Sequence, residues 1–336
     1  MTDREKQILA FLAGLGWGQA ARAPLANDAS FRRYERLRDG KRRAVLMDAP
    51  GPREDVRPFL AIAGILHGLE LSAPDILGQD RQAGLLLLED FGDVTYTSAL
   101  AADPNCEETL YTLAVDVLID LHRRFKGAAA AAPAYDMERL LDEAGLLVDW
   151  YLPALRGSAV PHALRLEYED LWRDAFARLT PSPETLVLRD YHVDNLMWLR
   201  GRAGMRACGL LDFQDAVIGS PAYDLVSLLE DARRCVPAEL ALRLRRRYFN
   251  AFSELDRDAF DHAYALYGAQ RSAKILGIFT RLDRRDGKPG YLGHIPRVWR
   301  WLEGDLEHPA LGDIAAWFER ELPRATRIAP AAKDAA

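Results

Sequence analysis

The sequence predicts an α+β protein of two lobes. A small sheet-containing N-lobe covers residues 1–90, a larger and mainly helical C-lobe covers 91–322, and 323–336 form a frayed tail. Three observations point there. The chain has 336 residues and is 49% hydrophobic, more than one small core needs. Strand signals cluster in the first ninety residues. Beyond them helical periodicity dominates, interrupted by a short β insert.

Taken in order, residues 3–15 form an amphipathic helix closed by glycines. The stretch FRRYERLRDGKRRAVLMDAP reads as two strands around a turn at Asp39-Gly40, a hairpin signal. Residues 54–69 place Val56, Phe59, Leu60, Ala63, Leu66 and Leu69 at helical spacing. GLLLLED is a short strand apolar on both faces, and Glu89–Asp93 connects the lobes. FGDVTYTSAL then makes a turn and a helix start. Residues 107–125 form a long amphipathic helix, in which His122 reads as a packing residue, and KGAAAAAPA forms a loop. Helices are expected over 136–152 and 165–178, then strand-like runs in TLVLRD with NLMWLR and in ACGLLDFQDA. Helical patterns return over 222–233, 238–255, 258–280 and 310–321. No internal repeat is evident.

Composition excludes several function classes. The formal net charge is −6, and acidic residues are interspersed among the arginine clusters Arg32-Arg33, Arg42-Arg43 and RLRRRYF. That argues against a nucleic-acid-binding role. Cys106, Cys208 and Cys235 are widely spaced, with no metal-ligand pattern, as in a reducing compartment. The N-terminus is charged at once, unlike a signal peptide, and no apolar run reaches the roughly 18 residues needed to span a bilayer. The expected location is the cytoplasm, with no membrane association and no obligatory protein partner evident.

The chemistry concentrates in LVLRDYHVDNLMWLR, residues 186–200, where a charged cluster sits between apolar runs. Buried charge is costly unless paired or used. Asp190 is followed five residues later by Asn195, and Asp212 follows after GLL. Kinase-type phosphoryl transfer needs such parts: an Asp that takes the acceptor's proton, and an Asn and a second Asp that hold Mg²⁺ against the nucleotide phosphates. The 22 residues from Asp190 to Asp212 suffice for a hairpin that returns Asp212 beside Asn195. Alone, Asp-x4-Asn also describes a polar turn; the following LLDFQDAVIGSPAYDL strengthens the functional reading.

RDYHVDN followed by LLDFQDAVIGSPAYDLVSLL resembles the aminoglycoside phosphotransferase superfamily of small-molecule kinases. The resemblance implies a protein-kinase-like bilobal fold with a nucleotide-binding N-lobe. Asp190 is then the catalytic residue, Asn195 and Asp212 the metal ligands, and Asp224 a structural support. His192 matches the second His of the usual HGDLHxxN pattern, whose leading HG is here Leu188-Arg189. NDASFRRYERL, VLMDAPGPREDVRPF, LLLLEDFGDVTY and KILGIFTRL narrow the likeness, which covers roughly residues 4–320. They are similar to bacterial anomeric sugar kinases of cell-wall recycling. That implies ATP and Mg²⁺ as cofactors, and N-acetylmuramic acid and N-acetylglucosamine as amino-sugar acceptors phosphorylated at the C1 hydroxyl.

The chain also departs from the kinase pattern. The strand position of the phosphate-binding Lys holds Met47, and the helix over 55–69 contains no Glu; Glu54 and Glu70 only flank it. Arg43 lies about 13 Å up the strand. Ser30, Arg32 and Arg33, at and after the NDAS turn, are the better candidates for the phosphates, with surface solvation the alternative for the arginines. Glu89 is a further nucleotide-side candidate. On the acceptor side stand His192, Asp194, Gln214, Asp215, Arg271 and Lys274. The last two are three residues apart on one helix face, a cationic face for a substrate carboxylate or an ion-paired one. A different small acceptor (an aminoglycoside or amino alcohol) and a catalytically impaired ATP-binding module remain as alternatives.

Overall fold

A computed structural model describes residues 2–25, 32–52, 54–127 and 132–333. The chain divides into two compact units, Met1–Val117 with Asp194–Ala216, and Leu118–Val193 with Val217–Ala336.

In the first unit a five-stranded antiparallel sheet comprises β1 (Ala21–Pro24), β2 (Arg33–Asp39), β3 (Arg42–Asp48), β4 (Ile76–Asp80) and β5 (Leu85–Leu88), in the order β1-β2-β3-β5-β4. The expected hairpin is β2–β3, in register from Arg33↔Asp48 to Asp39↔Arg42. Its turn needs positive φ, and Gly40 supplies it at +59°. Alternation sends Leu37, Ala44, Leu46, Leu85 and Leu87 to one face, where they pack with Trp17 and with Ile8 and Leu12 of α1 (Asp3–Gly14). Truncating one of these leucines to Ala would cost about 2–5 kcal/mol. The opposite face carries Tyr34, Arg36, Val45, Met47, Leu86 and Leu88, as the register pairs Tyr34↔Met47, Arg36↔Val45 and Val45↔Leu88 require. The helix α2 (Arg57–Gly68) buries Phe59, Ile62, Ala63 and Leu66. Then come α3 (Tyr96–Ala102), capped by the Thr95 hydroxyl, and α4 (Glu107–Arg124), whose last turns belong to the second unit.

The second unit holds α5 (Met137–Leu146), which runs into a π-turn at Leu147–Tyr151, then α6 (Leu152–Arg156), α7 (His162–Ala177), α8 (Ala222–Leu229), α9 (Ala238–Asn250), α10 (Arg257–Asp286), α11 (Ile295–Leu306) and α12 (Gly312–Glu321). The 30-residue α10, capped by Asp256, packs against α5, α8 and α11. Its middle is buried on all sides, which accounts for its lack of a polar stripe. His122 faces this core. Its Nδ1 lies 2.6 Å from the Tyr248 hydroxyl, and burial pushes its pKa down to about 3, as suits a packing residue. No helix among the described residues is long and apolar enough to cross a membrane.

Several elements depart from expectation. β1 has four largely exposed residues and no apolar alternation to reveal it. α11 was hidden by Pro296, which sits in its first turn, where the missing N–H has no partner to lose. TLVLRD and NLMWLR do not pair with each other. The strand β6 (Thr185–Val187) pairs with β9 (Val217–Gly219), and β7 (Leu196–Trp198) with β8 (Cys208–Leu210). Three-residue strands separated by a long polar loop each complete their hydrogen bonding elsewhere.

Glu230 and Asp305 form a buried carboxyl pair in the second unit. Burial pushes the Glu230 carboxyl up to about 7 and that of Asp305 well above the carboxylate range; Tyr264, Arg245 and Arg271 surround the pair. Asp305 reaches this position because Gly268 lacks a Cβ, which would stand 2.4 Å from its Oδ2. Two adjacent buried carboxylates cannot both ionise, so they share a proton. A folded pKa raised above the unfolded value means that stability is fully present at low pH and declines as pH rises from about 4.5 to about 7. Asp305→Asn should therefore stabilise the protein more at pH 8 than at pH 5, by on the order of 2 kcal/mol in urea unfolding. An equal effect at both pH values would contradict the shared proton.

Candidate active site

The β7–β8 hairpin folds with the first unit and carries Asn195 and Asp212 at its ends. Leu196 pairs with Leu210 and Trp198 with Cys208. The Leu211 N–H then donates to the Asn195 carbonyl at 3.0 Å, so that Asn195 and Asp212 stand together at the open end. Both edges of the hairpin are tied down. Leu210 N–H donates to the Ser72 carbonyl at 2.7 Å, and Trp198 N–H to the Val94 carbonyl at 2.8 Å. Asp212 adopts φ +57°, a left-handed conformation that Asp tolerates better than most residues and that often marks a functional site. Next to it, buried Phe213 stacks on Phe59 with centroids 4.9 Å apart. Gln214 Nε2 donates to Asp212 Oδ1 at 2.8 Å and to Asp215 Oδ2 at 3.2 Å.

Asn195 and Asp212 line a cavity of about 400 Å³ in this unit, with Tyr34, Arg36, Val45 and the connector Glu89–Asp93. That volume falls in the range of small-molecule sites. The donor set of one carboxylate and one amide oxygen suits Mg²⁺, which binds through one or two carboxylates plus substrate phosphates. Among the described residues no group of three or more His, Cys, Asp or Glu side chains could hold a metal by itself. These two residues would need further oxygen ligands, of the kind substrate phosphates or waters supply.

The other nucleotide-side candidates are distributed as follows. Ser30 lies outside the described residues. Arg32 Nε lies 3.3 Å from Glu54 Oε2 and its Nη2 lies 3.9 Å from Asp215 Oδ2. Arg33 pairs with Asp48 at 2.6 Å and is largely exposed. Glu89 pairs with Arg202 and accepts from the Asp75 N–H at 3.3 Å. Met47 is buried. Sequence reasoning passed over Arg36. It shares a face with Tyr34 by simple alternation, and its guanidinium binds Asp90 at 2.8 Å, Asp93 at 2.7 Å and the Gly92 carbonyl at 3.0 Å. Arg36 thus fixes the connector against β2. The Tyr34 hydroxyl is pushed up to about 12 by burial, with Arg32 lowering it and Asp212 and Glu54 raising it further; it stays a neutral donor.

Asp190 belongs to the second unit and is half-buried. It follows a three-residue turn in which the Asp190 N–H donates to the Leu188 carbonyl at 2.9 Å and Arg189 takes φ +69°, a rare and strained form. Asp224 on α8 holds this turn. Its Oδ2 accepts from Leu188 N–H at 2.6 Å and its Oδ1 from Arg189 N–H at 2.8 Å. Burial pushes the Asp224 carboxyl up to about 7, and these two amide donors pull against that rise. Ser227 donates to the Arg189 carbonyl at 3.0 Å, and the Arg189 guanidinium binds Glu143.

Of the acceptor-side residues, His192 is buried, and its pKa is pushed well below the usual range by burial and then by Arg233 and Arg271. Arg271 and Lys274 share a helix face as expected, but both are buried. Lys274 Nζ lies 3.0 Å from Glu143, the ion-paired alternative. Asp194 and Asp215 are exposed and fold with the first unit; Asp194 accepts from the Thr97 hydroxyl.

A small antiparallel sheet followed by a mainly helical remainder, with an Asp-x4-Asn loop and a following Asp at a hairpin end, defines a protein-kinase-like phosphotransferase fold. The chain belongs to the phosphotransferase enzyme family, whose model matches residues 22–261. It is 38% identical to an N-acetylmuramate/N-acetylglucosamine kinase of Caulobacter vibrioides, over 97% of this chain and 99% of that one. A kinase of the same name from Pseudomonas aeruginosa is 39% identical over 89% of each chain. Among solved structures, a spectinomycin phosphotransferase in complex with ADP and spectinomycin superimposes with a TM-score of 0.60 at 10% identity, covering 94% of this chain and 98% of that one.

Removing the Asp224 carboxylate would leave two buried amides without acceptors. Asp224→Ala should therefore destabilise the protein by roughly 2–4 kcal/mol in urea unfolding. A loss under about 1 kcal/mol would show that the turn stands without it.

Proposed function

We propose that this protein is an ATP-dependent sugar kinase that phosphorylates the anomeric C1 hydroxyl of N-acetylmuramic acid and N-acetylglucosamine. The product is the sugar 1-phosphate, and the reaction serves peptidoglycan recycling in the cytoplasm. The observation that supports phosphoryl transfer is that Asn195 and Asp212 both line one cavity of about 400 Å³. The names of the two relatives, which match 97% and 89% of this chain, support the acceptor.

In this mechanism Asp190 accepts a hydrogen bond from the C1 hydroxyl and orients it in line with the γ-phosphorus. As the new O–P bond forms, the bond to the β-phosphate oxygen breaks and its electron pair leaves with ADP. Asp190 takes the hydroxyl proton late, and no covalent enzyme intermediate is needed. Asn195 and Asp212 would hold Mg²⁺, which would supply neutralisation of the charge on the phosphates. Residues 1–90 act as the nucleotide lobe, with Ser30, Arg32, Arg33 and Glu89 on its phosphate and connector sides, and 91–322 as the catalytic and sugar lobe. For the sugar, exposed Asp215 and Asp194 are the readier contacts. His192 and Arg271 are buried within the second unit, and a role for Lys274 requires it to leave Glu143.

The test is nucleotide consumption with N-acetylmuramic acid, N-acetylglucosamine, glucose, kanamycin and choline, with ATP and GTP compared. The N-acetyl sugars with ATP should turn over fastest; preferential turnover of kanamycin or choline would move the assignment to another small acceptor. Asp190→Asn should lower kcat by about 10²–10⁴-fold with an unchanged melting temperature. Wild-type turnover by that variant would remove Asp190 from the chemistry.

A further inference from the structure

A phosphoryl-transfer site needs a fixed cation against the nucleotide phosphates, usually a strand Lys held by a helix Glu. Here β3 offers Val45 and buried Met47 at that place, and α2 contains no Glu. Two nearby arginines are otherwise engaged. Arg36 binds Asp90, Asp93 and the Gly92 carbonyl, and Arg33 binds Asp48.

Arg32 differs from both. Its side chain is only 11% exposed, and its Nε lies 3.3 Å from Glu54 Oε2, itself on a side chain only 15% exposed. That Nε makes the ionic contact without a hydrogen bond. The other arm of the guanidinium, Nη2, stands 3.9 Å from Asp215, three residues past Asp212. Two residues along the chain, Tyr34 lines the cavity together with Asp212, and Arg32, Glu54 and Asp212 all act on its hydroxyl. An ion pair this buried is a weak source of stability, whereas a planar guanidinium held near a cavity suits bidentate phosphate binding.

We propose that Arg32 is the cation that holds the nucleotide phosphates in this protein, and that Glu54, at the approach to α2, is the positioning residue that fixes its guanidinium. The pair does the work of the strand Lys and helix Glu from two different elements: the cation moves to the start of β2 and the carboxylate to the segment before α2. This deepens the proposed function and rests on its nucleotide assignment.

The experiment is calorimetric binding of ADP and of adenosine to the full chain, wild type and variants, without acceptor sugar. Arg32→Met should weaken ADP about 10- to 100-fold and leave adenosine within about twofold, because the contact is to phosphate alone. Arg32→Lys should recover part of the loss. Glu54→Gln should weaken ADP by a smaller factor, again sparing adenosine. Should Arg32→Met fail to fold, Arg32→Lys and Glu54→Gln decide by the same ADP-to-adenosine ratio. Equal weakening of both ligands, or ADP binding within twofold of wild type, overturns the proposal while leaving the kinase reading intact. A wild-type protein that does not bind ADP overturns the nucleotide assignment, and this proposal with it.

Discussion

The hydrogen bond from Leu211 N–H to the Asn195 carbonyl, 3.0 Å long, is the contact on which the site in the first unit depends. It adds one rung to a two-stranded ladder of only three residue pairs. Such a ribbon is marginal by itself. It stands because its outer edges find partners far back in the chain, at Ser72 on one side and at Val94 and Thr95 on the other. Those contacts explain why residues 194–216 fold with the N-terminal sheet although the segments on either side belong to the second unit. They also explain how an amide and a carboxylate 17 positions apart come to line one cavity.

The charge around that donor set is predominantly acidic. Asp212, Glu89, Asp90 and Asp93 line the cavity with Arg36, and Glu54 and Asp215 pair with Arg32, and Glu89 with Arg202, in the same unit. A polyanionic nucleotide is repelled by carboxylates unless cations intervene. In the proposed mechanism a divalent ion at Asn195 and Asp212 and a guanidinium at Arg32 would supply them. The second unit meets its own buried charge differently. Asp224 is satisfied by two amides, and Glu143 by Arg189 and Lys274. These groups hold the strained turn before Asp190 in one conformation, so the loop keeps its geometry without glycine at Arg189.

What the sequence disclosed, and what it withheld, divides along physical lines. The β2–β3 hairpin, α2, α4 and the long α10 were legible because periodicity and turn chemistry are local signals. So was the return of Asp212 beside Asn195, since a hairpin of that length leaves few alternatives. β1 and the β6–β9 pairing were not legible, because short strands are specified by partners far away in the chain. Arg36 was readable in principle from its alternation with Tyr34, but its engagement by Asp90 and Asp93 depends on a connector 54 or more residues later. Glu54 was noticed only as a residue outside a helix. Its pairing with Arg32 comes from tertiary packing, as does the burial of Arg271 and Lys274, which a helix-face argument cannot distinguish from exposure.

Asn195 and Asp212 are proposed to act together on a nucleotide-borne divalent ion. The most direct measurement is ADP affinity with and without Mg²⁺, in the wild-type chain and in Asp212→Asn, which removes the carboxylate charge but keeps the side-chain shape. Mg²⁺ should tighten ADP binding to the wild type by about tenfold or more, in line with one added charge-assisted interaction, and have little effect on the variant. Full retention of the Mg²⁺ effect by Asp212→Asn would contradict it.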